Sequence, residues 1–264
     1  MKKLIITGLL TLFTLPAFAQ QNYATPEKAA SAFAKALTTQ DDNALNQVLG
    51  DNWRQYLPQR EDEPEAVARF LRDWEVGHQI DEQGDTAHLN VGSDGWQLPI
   101  PIVKTAKGWR FDMAGGQDEI QTREIGRNEL SAIQAMHAYV DAQNDYYQRF
   151  QHYAAKLLSS EGQKDGLYWP TGPGEEPSPL GPAYSPTLPD AGYHGYRFRI
   201  IADQDRQGFA LIAWPVKFAE TGIMSFIVDQ NDTVYQANLG MQSALKAAEV
   251  KAFTRDKPWD AMTQ

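Results

Sequence analysis

The chain has 264 residues, no cysteine and a formal net charge of −10. Without cysteine it has no disulfide bonds, no thiol nucleophile and no lipid anchor attached to a cysteine. An acidic chain that lacks a basic cluster also offers no surface for nucleic acid or anionic lipid, so we expect no nucleic-acid partner.

Residues 1–19 have the organisation of a cleavable export signal. Two lysines precede an apolar run over residues 4–15 that is too short to span a bilayer, and Ala17 and Ala19 form an A-x-A cleavage pattern. The alternative is a membrane anchor or buried helix, but polar residues follow at once from Gln20. We therefore predict a soluble periplasmic protein, or one secreted further, without a membrane span after cleavage. Loss of two lysines changes the net charge from −10 to −12.

Helices are predicted to come first in the next segment, residues 20–116. Thr25 and Pro26 have the order of an N-cap and a first helical residue, and apolar residues follow at helical spacing. A second helix is expected to end at Gly50, and a third is expected to follow Pro64.

Beyond Gly77 the apolar residues no longer recur at helical spacing and instead occupy every second position. Alternation over residues 87–91, 96–102 and 109–113 predicts strands of an antiparallel sheet. Proline cannot donate to a strand ladder, so Pro99 and Pro101 place the middle strand at an edge. Helices followed by such a sheet indicate the α+β class.

This element order, with the ending Trp109-Arg110-Phe111-Asp112, resembles the small cone-shaped domains of the nuclear-transport-factor-like superfamily. The resemblance covers residues 23–113. It implies an apolar cavity at the open face of the sheet. Four tryptophans are candidates to line that cavity, with ordinary core packing as the alternative: Trp53, Trp74, Trp96 and Trp109.

A second domain is predicted over residues 117–264, after a boundary at Gly115-Gly116. Its first element is a long amphipathic helix from about Arg127 to Phe150, with one apolar stripe. The stripe consists of Ile133, Met136, Val140, Tyr147 and Phe150. The segment from Gly162 to Gly195 is rich in proline, glycine and tyrosine and has no period, which indicates a long loop.

Strands are predicted again after this loop. Residues 196–200 alternate, residues 209–214 form a continuous apolar run typical of a central strand, and residues 223–235 form a hairpin. A final helix is expected over residues 241–253. The whole chain is thus predicted as two α+β domains, each with helices packed on an antiparallel sheet.

The second domain resembles the globular head of type IV pilins and pseudopilins. The residues that carry this resemblance are Asp141-Ala142-Gln143, Tyr146-Tyr147, Tyr153-Ala154 and the hairpin from Phe226-Ile227-Val228-Asp229 to Val234-Tyr235. The long apolar stalk helix of a pilin, which packs the filament, is missing. The resemblance implies an accessory role in pilus-like machinery rather than filament assembly.

The mature chain as a whole resembles an uncharacterised family of exported bacterial proteins, a domain of unknown function. Four segments carry the resemblance: Glu124-Ile125-Gly126-Arg127-Asn128-Glu129, residues 138–143, residues 208–211 and residues 225–228. It implies a compartment and an architecture, and no activity.

No standard catalytic, metal or nucleotide motif occurs. The five histidines are scattered without metal-ligand spacing, and no nucleophile elbow, P-loop or dinucleotide fingerprint is present. We predict no catalytic residue, no metal and no cofactor, and leave open a hydrolase assembled from distant residues.

The aromatic side chains of the long loop are the best candidates for a binding site. They are Tyr168, Trp169, Tyr184, Tyr193 and Tyr196. Aromatic rings on a proline-stiffened backbone bind a partner at low entropic cost. The alternative is that these rings fold back over the sheet as a lid.

The leading hypothesis is a non-enzymatic envelope protein that offers this loop to a protein or polymer partner. One alternative is a small-molecule binder or hydrolase that uses the N-terminal cavity. The other is an accessory protein of pilus-like machinery.

Overall fold

The structure is a computed structural model, and it describes four stretches of the chain: residues 20–57, 63–181, 192–203 and 208–262. The chain divides between Ile120 and Gln121 into two compact units, here called the N-terminal unit and the C-terminal unit. Each has its own sheet with helices packed on it, which confirms the predicted α+β class.

Three helices open the N-terminal unit: α1 (Pro26–Thr39), α2 (Asp42–Leu49) and α3 (Glu63–Val76). Thr25 caps α1 by accepting a hydrogen bond from the backbone N–H of Lys28. Asp41 caps α2 by accepting from two backbone N–H groups. Gly50 ends α2 with a φ of 97°. Local sequence therefore sets these helix ends.

The N-terminal sheet has five strands: β1 (His78–Gln83), β2 (Thr86–Val91), β3 (Trp96–Gln97), β4 (Ile102–Thr105) and β5 (Gly108–Phe111). Their order is β1-β2-β4-β5, with β3 paired to β2, and every pair is antiparallel. The prediction of one strand over residues 96–102 was wrong. Pro99 and Pro101 lack an N–H, and the ladder is interrupted between β3 and β4, although Leu98 and Ile100 remain buried.

The C-terminal unit is built on α4 (Gln117–Phe150), whose first turn belongs to the N-terminal unit. This helix begins ten residues before the predicted Arg127. Tyr147 of the predicted stripe is 41% exposed, and Tyr146 is buried in its place. The hydroxyl of Tyr146 donates to the carbonyl oxygen of Lys164, so the following loop covers this tyrosine.

The C-terminal sheet has six strands: β6 (Tyr196–Asp203), β7 (Gly208–Pro215), β8 (Ser225–Asp229), β9 (Val234–Ala237), β10 (Ala252–Phe253) and β11 (Asp260–Ala261). Their order is β10-β6-β7-β8-β9-β11, so the predicted central position of the apolar run in β7 is confirmed. Phe209, Leu211 and Ala213 share a core with α4. Ala210 and Ile212 belong to a second core on the other face of the sheet.

The last predicted helix is shorter than expected. Helix α5 (Ser243–Glu249) lies on that second core, and the chain then forms β10, which pairs with β6 in parallel. Two carbonyl groups at the end of α5 accept hydrogen bonds from Nη2 of Arg199. Phe253 is buried against Tyr235 at 4.8 Å between ring centroids. These tertiary contacts end the helix before the predicted Phe253.

Candidate functional site

The chain leaves α4 at a fixed point because Gln143 is fully buried and holds the following segment. Its Nε2 donates to the carbonyl oxygen of Ala154 at 2.8 Å, and its Oε1 accepts from the N–H of Ala154 at 2.9 Å. The same Nε2 donates to the Tyr139 hydroxyl at 3.0 Å. A buried amide paired on both sides fixes the position of the loop that follows.

The loop after α4 is held by its own backbone. The N–H of Tyr168 donates to Leu157 O, the N–H of Ser159 donates to Tyr168 O, and the N–H of Leu180 donates to Leu167 O. These bonds place the segment around Tyr168 beside the start of the loop, without a helix or a named strand. Its aromatic residues therefore have defined positions.

Asp165 stabilises the turn in this loop. Its carboxylate accepts from Nζ of Lys156 at 2.6 Å and from the N–H of Ser160 at 2.7 Å. The hydrogen bond from Lys156, then that from Ser160, lowers the pKa of Asp165 to about 2. The carboxylate is thus ionised, and the turn is held, throughout the physiological pH range.

A cleft of about 250 Å³ opens in this loop. Its walls are Tyr168, Trp169, Pro170, Thr171, Pro177, Ser178, Leu180 and Gly181. None of these eight residues is charged, and the side-chain polar atoms are three hydroxyls and one indole N–H. The cleft is suited to an apolar group that also carries a hydrogen-bond acceptor.

Trp169 forms the buried wall of the cleft. It is 5% exposed, its ring meets Phe150 edge-on at 6.3 Å, and Nζ of Lys164 lies 5.2 Å from its ring centroid. Its Nε1–H is buried and finds no acceptor in the described part of the chain. A buried donor without an acceptor is uncommon and costs about 1–3 kcal/mol, so this atom requires an explanation.

Arg149, near the end of α4, holds the part of the wall that Pro177 forms. Its Nη1 donates to Pro177 O at 2.8 Å and lies 3.3 Å from the carboxylate of Glu176. Its Nη2 pairs with Asp145 at 2.6 Å. The guanidinium thereby joins the helix end to the proline wall.

The predicted site residues separate into two places. Tyr168 and Trp169 both line the cleft. Tyr193 and Tyr196 do not line it: Tyr193 is half-buried, and its backbone bridges to that of Tyr196. Tyr184 lies outside the described residues.

Tyr196 is fully buried and acts within the fold. Its hydroxyl donates to Met224 O at 2.8 Å and lies 3.5 Å from Oε1 of Glu129. Burial, and then the charge of Glu129, raises the pKa of Tyr196 well above its usual range. Tyr196 is thus held within the fold and away from the cleft, whereas the ring of Trp169 is largely buried but still lines the cleft.

Sequence reasoning missed the non-aromatic walls of the cleft and the arginine behind them. No periodic sequence pattern links Pro170, Pro177 and Leu180. Only the fold of the loop brings these three residues together at the cleft. Arg149 had a weak signal, since basic residues commonly lie in the last turn of a helix. Its contact with Pro177 spans 28 positions and is not readable from spacing.

The four tryptophans proposed for an N-terminal cavity differ in burial. Trp53 and Trp109 are buried in the core, and Nε1 of Trp53 donates to Oδ1 of Asn46. Trp74 is half-buried and stacks on His78 at 3.7 Å, and Trp96 is 47% exposed. The four are thus divided between core and surface.

Among the described residues, no three histidine, cysteine or acidic side chains are arranged to hold a metal ion. His137 instead pairs with Asp232 at 2.6 Å. In the ranges that the structure covers, no helix combines the length and the apolar character needed to cross a bilayer.

The fold and the cleft define an α+β protein of two units, whose C-terminal unit carries an uncharged aromatic cleft. Residues 20–262 match the family described as "Protein of unknown function (DUF2950)", and the chain belongs to that family. This confirms the predicted membership of a family of unknown function. No curated protein and no solved structure matches the chain, so the likeness to nuclear-transport-factor and pilin domains stays a prediction.

Proposed function

We propose that the protein is an exported, periplasmic binding or accessory module without catalytic activity, and that its C-terminal unit holds a polymeric partner in the cleft at Tyr168 and Trp169. The observation that carries this proposal is the cleft itself, whose described walls combine the rings of Tyr168 and Trp169 with Pro170 and Pro177. Such a combination favours recognition of a partner, because the apolar surface binds and the few hydroxyl groups orient.

The size of the cleft supports a polymeric partner. Its volume of about 250 Å³ is below the range of about 300–1,000 Å³ in which whole small ligands and cofactors bind. One or two residues of a longer chain fill such a volume. The rest of the partner would then lie along the surface of the loop.

The chemistry of the walls supports binding over catalysis. General acid–base catalysis needs a titratable group whose pKa is close to the working pH. Among the described residues that line the cleft there is no carboxylate, imidazole or amine, and Tyr168 is the one titratable residue. The hypotheses of an N-terminal small-molecule site and of a pilus accessory rest on resemblance alone.

Export is proposed from the N-terminal sequence. The family match begins at residue 20, directly after the expected cleavage site. Gln20 is already part of the fold, since its Nε2 donates to Val48 O at 3.0 Å and to Phe111 O at 2.7 Å. Cell fractionation with mass measurement of the N-terminus tests this: we expect periplasmic protein that begins at Gln20, and a cytoplasmic chain that retains Met1 would refute it.

Crosslinking in intact cells, followed by purification of the protein, tests the binding function. We expect a partner that is lost on Tyr168→Ala and retained on Tyr147→Ala, a matched change at an exposed tyrosine outside the cleft. Both variants must first show unchanged thermal unfolding. Equal recovery of the same partners with both variants would overturn the proposed role of the cleft.

A further inference from the structure

We propose that β1, the edge strand of the N-terminal sheet, binds an extended peptide segment that carries lysine or arginine side chains and joins the sheet as a further strand. The residues of β1 belong to the N-terminal unit and do not line the cleft, so this surface goes beyond the proposed function. Three observations carry the inference: an unpaired strand edge, the regular alternation of its free backbone groups, and its unbalanced negative charge.

One side of β1 is open to a further strand. In the described part of the chain β1 pairs with β2 alone, and the register runs through all six residues of β1 without a bulge. Five of the six are exposed, and none is proline. Proline, bulges and very short strands commonly protect a sheet edge, and β1 has none of these.

The register between β1 and β2 identifies the backbone groups that remain free. The N–H of Gly92 donates to Gly77 O at 2.9 Å, directly before β1. Hydrogen-bonded pairs recur at every second position of an antiparallel ladder, which assigns residues 79, 81 and 83 to bonds with β2. His78, Ile80 and Glu82 alternate with these residues, so their N–H and C=O groups point away from the sheet.

This alternation selects the conformation of the ligand. The free residues of β1 lie two positions apart, which is about 7 Å in an extended chain. An extended peptide presents its own N–H and C=O groups with the same repeat, whereas a helix bonds these groups internally. The backbone of β1 therefore fits a peptide that is added as a strand.

The charge around β1 selects the side chains of the ligand. Residues 75–103 contain no lysine or arginine, and their carboxylates belong to Glu75, Asp81, Glu82, Asp85 and Asp94. Among the described residues, none of these five carboxylates forms an ion pair. Charged side chains on an edge repel strands of like charge, and here that charge is negative. The edge thus excludes an acidic strand and attracts a basic one.

The same charge excludes a second copy of the chain as the added strand. Two β1 strands joined edge to edge would bring Asp81 and Glu82 of both copies into one short ladder, and neither strand contains a lysine or arginine. Like charges across a ladder are destabilising. The occupant is therefore a basic segment of another protein.

The two faces of β1 suggest a suitable probe sequence. Ile80 packs against the N-terminal core, and Asp81 lies on the opposite face of the strand. A peptide that alternates valine with lysine offers an apolar side chain to the first face and a cation to the second.

Titration of the purified protein with three synthetic peptides of equal length tests the proposal. The first alternates lysine with valine, the second has glutamate in place of lysine, and the third has proline in place of valine, which keeps the charge but removes N–H groups and the strand conformation. Calorimetry measures the affinities, and amide hydrogen exchange followed by NMR locates the contact. We expect the lysine–valine peptide alone to bind, and exchange to slow at Ile80 and Glu82 but not at Asp81.

Two substitutions of Glu82 separate the backbone contact from the charge. Glu82→Ala removes the carboxylate and keeps the N–H, and should weaken binding about two- to fivefold. Glu82→Pro removes both groups and should weaken binding about fivefold further. Proline is compatible with the fold there, because the N–H of Glu82 points away from β2. Glu161→Ala, at an exposed carboxylate of the C-terminal unit, is the matched control and should leave the affinity unchanged.

Equal binding of the lysine–valine and lysine–proline peptides would indicate attraction between charges without strand addition and would overturn the inference. Unchanged exchange at Ile80 and Glu82 would also overturn it. A dimeric free chain in which these two amides already exchange slowly would assign the edge to a second copy, against the proposal. If Glu82→Pro does not fold, the exchange pattern of the unmodified chain decides the question. The crosslinking experiment at the cleft decides the proposed function separately.

Discussion

At the scale of single residues, the buried side chain of Gln143 stabilises the loop that carries the cleft through its hydrogen bonds to Ala154. Gln143→Met keeps the length of the side chain and leaves the N–H and carbonyl of Ala154 without partners. We expect the free energy of unfolding to fall by about 2–4 kcal/mol, since each unsatisfied buried group costs about 1–3 kcal/mol. Chemical denaturation measures this change.

Gln148→Met on the exposed face of the same helix is the control and should change stability by less than about 0.5 kcal/mol. Equal effects of the two substitutions would show that the hydrogen bonds to Ala154 do not hold the loop.

Two glycines of the C-terminal unit should respond to alanine in opposite directions. A Cβ on Gly126 meets nothing within 4 Å, so Gly126→Ala should raise the free energy of unfolding by about 0.5–1 kcal/mol through helix propensity. A Cβ on Gly222 would overlap the buried hydroxyl of Tyr196, so Gly222→Ala should lower it by about 1–3 kcal/mol. Thermal unfolding of both variants checks the signs, and stabilisation by Gly222→Ala would contradict the close packing of Gly222 against Tyr196.

At the scale of elements, the segment Glu124–Glu129 that carried the family resemblance has a structural role. Asn128 of α4 donates to Thr221 O at 3.0 Å, and Glu129 accepts from the N–H groups of Ile223 and Met224 at 2.9 Å each. The motif therefore attaches the turn before β8 to the helix. The carboxylate of Glu129 binds these backbone N–H groups and does not line the cleft.

Glu129→Ala should release this turn and lower the free energy of unfolding by about 2–4 kcal/mol, because two backbone donors lose a charged acceptor. Glu129→Gln retains an acceptor oxygen and should lose less than half of that amount. Hydrogen exchange at Ile223 and Met224 should be faster in the alanine variant. Unchanged exchange there would contradict the anchoring role.

At the scale of the whole molecule, Asp229 makes the stability of the fold depend on pH in the acidic range. It is 1% exposed and accepts from Nη2 of Arg255 at 2.6 Å and from the N–H groups of Asn231 and Thr233. Burial by itself raises the pKa of Asp229, but these hydrogen bonds outweigh it and hold the pKa below its ordinary value of 3.8. The carboxylate thereby joins the end of β8 to the C-terminal segment.

Since the folded pKa of Asp229 is lower than the unfolded one, its contribution to stability is present above about pH 4 and is lost as the pH falls through the folded pKa. Asp229→Asn should lower stability at pH 7 and flatten the decline of stability below pH 4. Unfolding midpoints measured from pH 7 to pH 2 check this. Asp94→Asn, at an exposed carboxylate, should leave the decline unchanged.

The sequence by itself determined the features that depend on local chemistry and on period. Thr25, Asp41 and Gly50 specify helix ends because capping needs only neighbouring backbone groups. The apolar run of β7 specifies a central strand because both of its faces are buried. The α+β class and the aromatic character of the loop followed from the same kind of signal.

The tertiary structure alone decided which of these residues face a core, a cleft or solvent. Tyr146 and Tyr147 are adjacent and chemically identical, and only Tyr146 lies in the core that α4 shares with the sheet, where its hydroxyl donates to Lys164 O. The two-residue strand β10 forms because β6 offers it a ladder, although its sequence had suggested helix. Trp169 and Pro177 line one cleft, and Pro177 is held there by a long-range hydrogen bond from Arg149 that no local pattern contains.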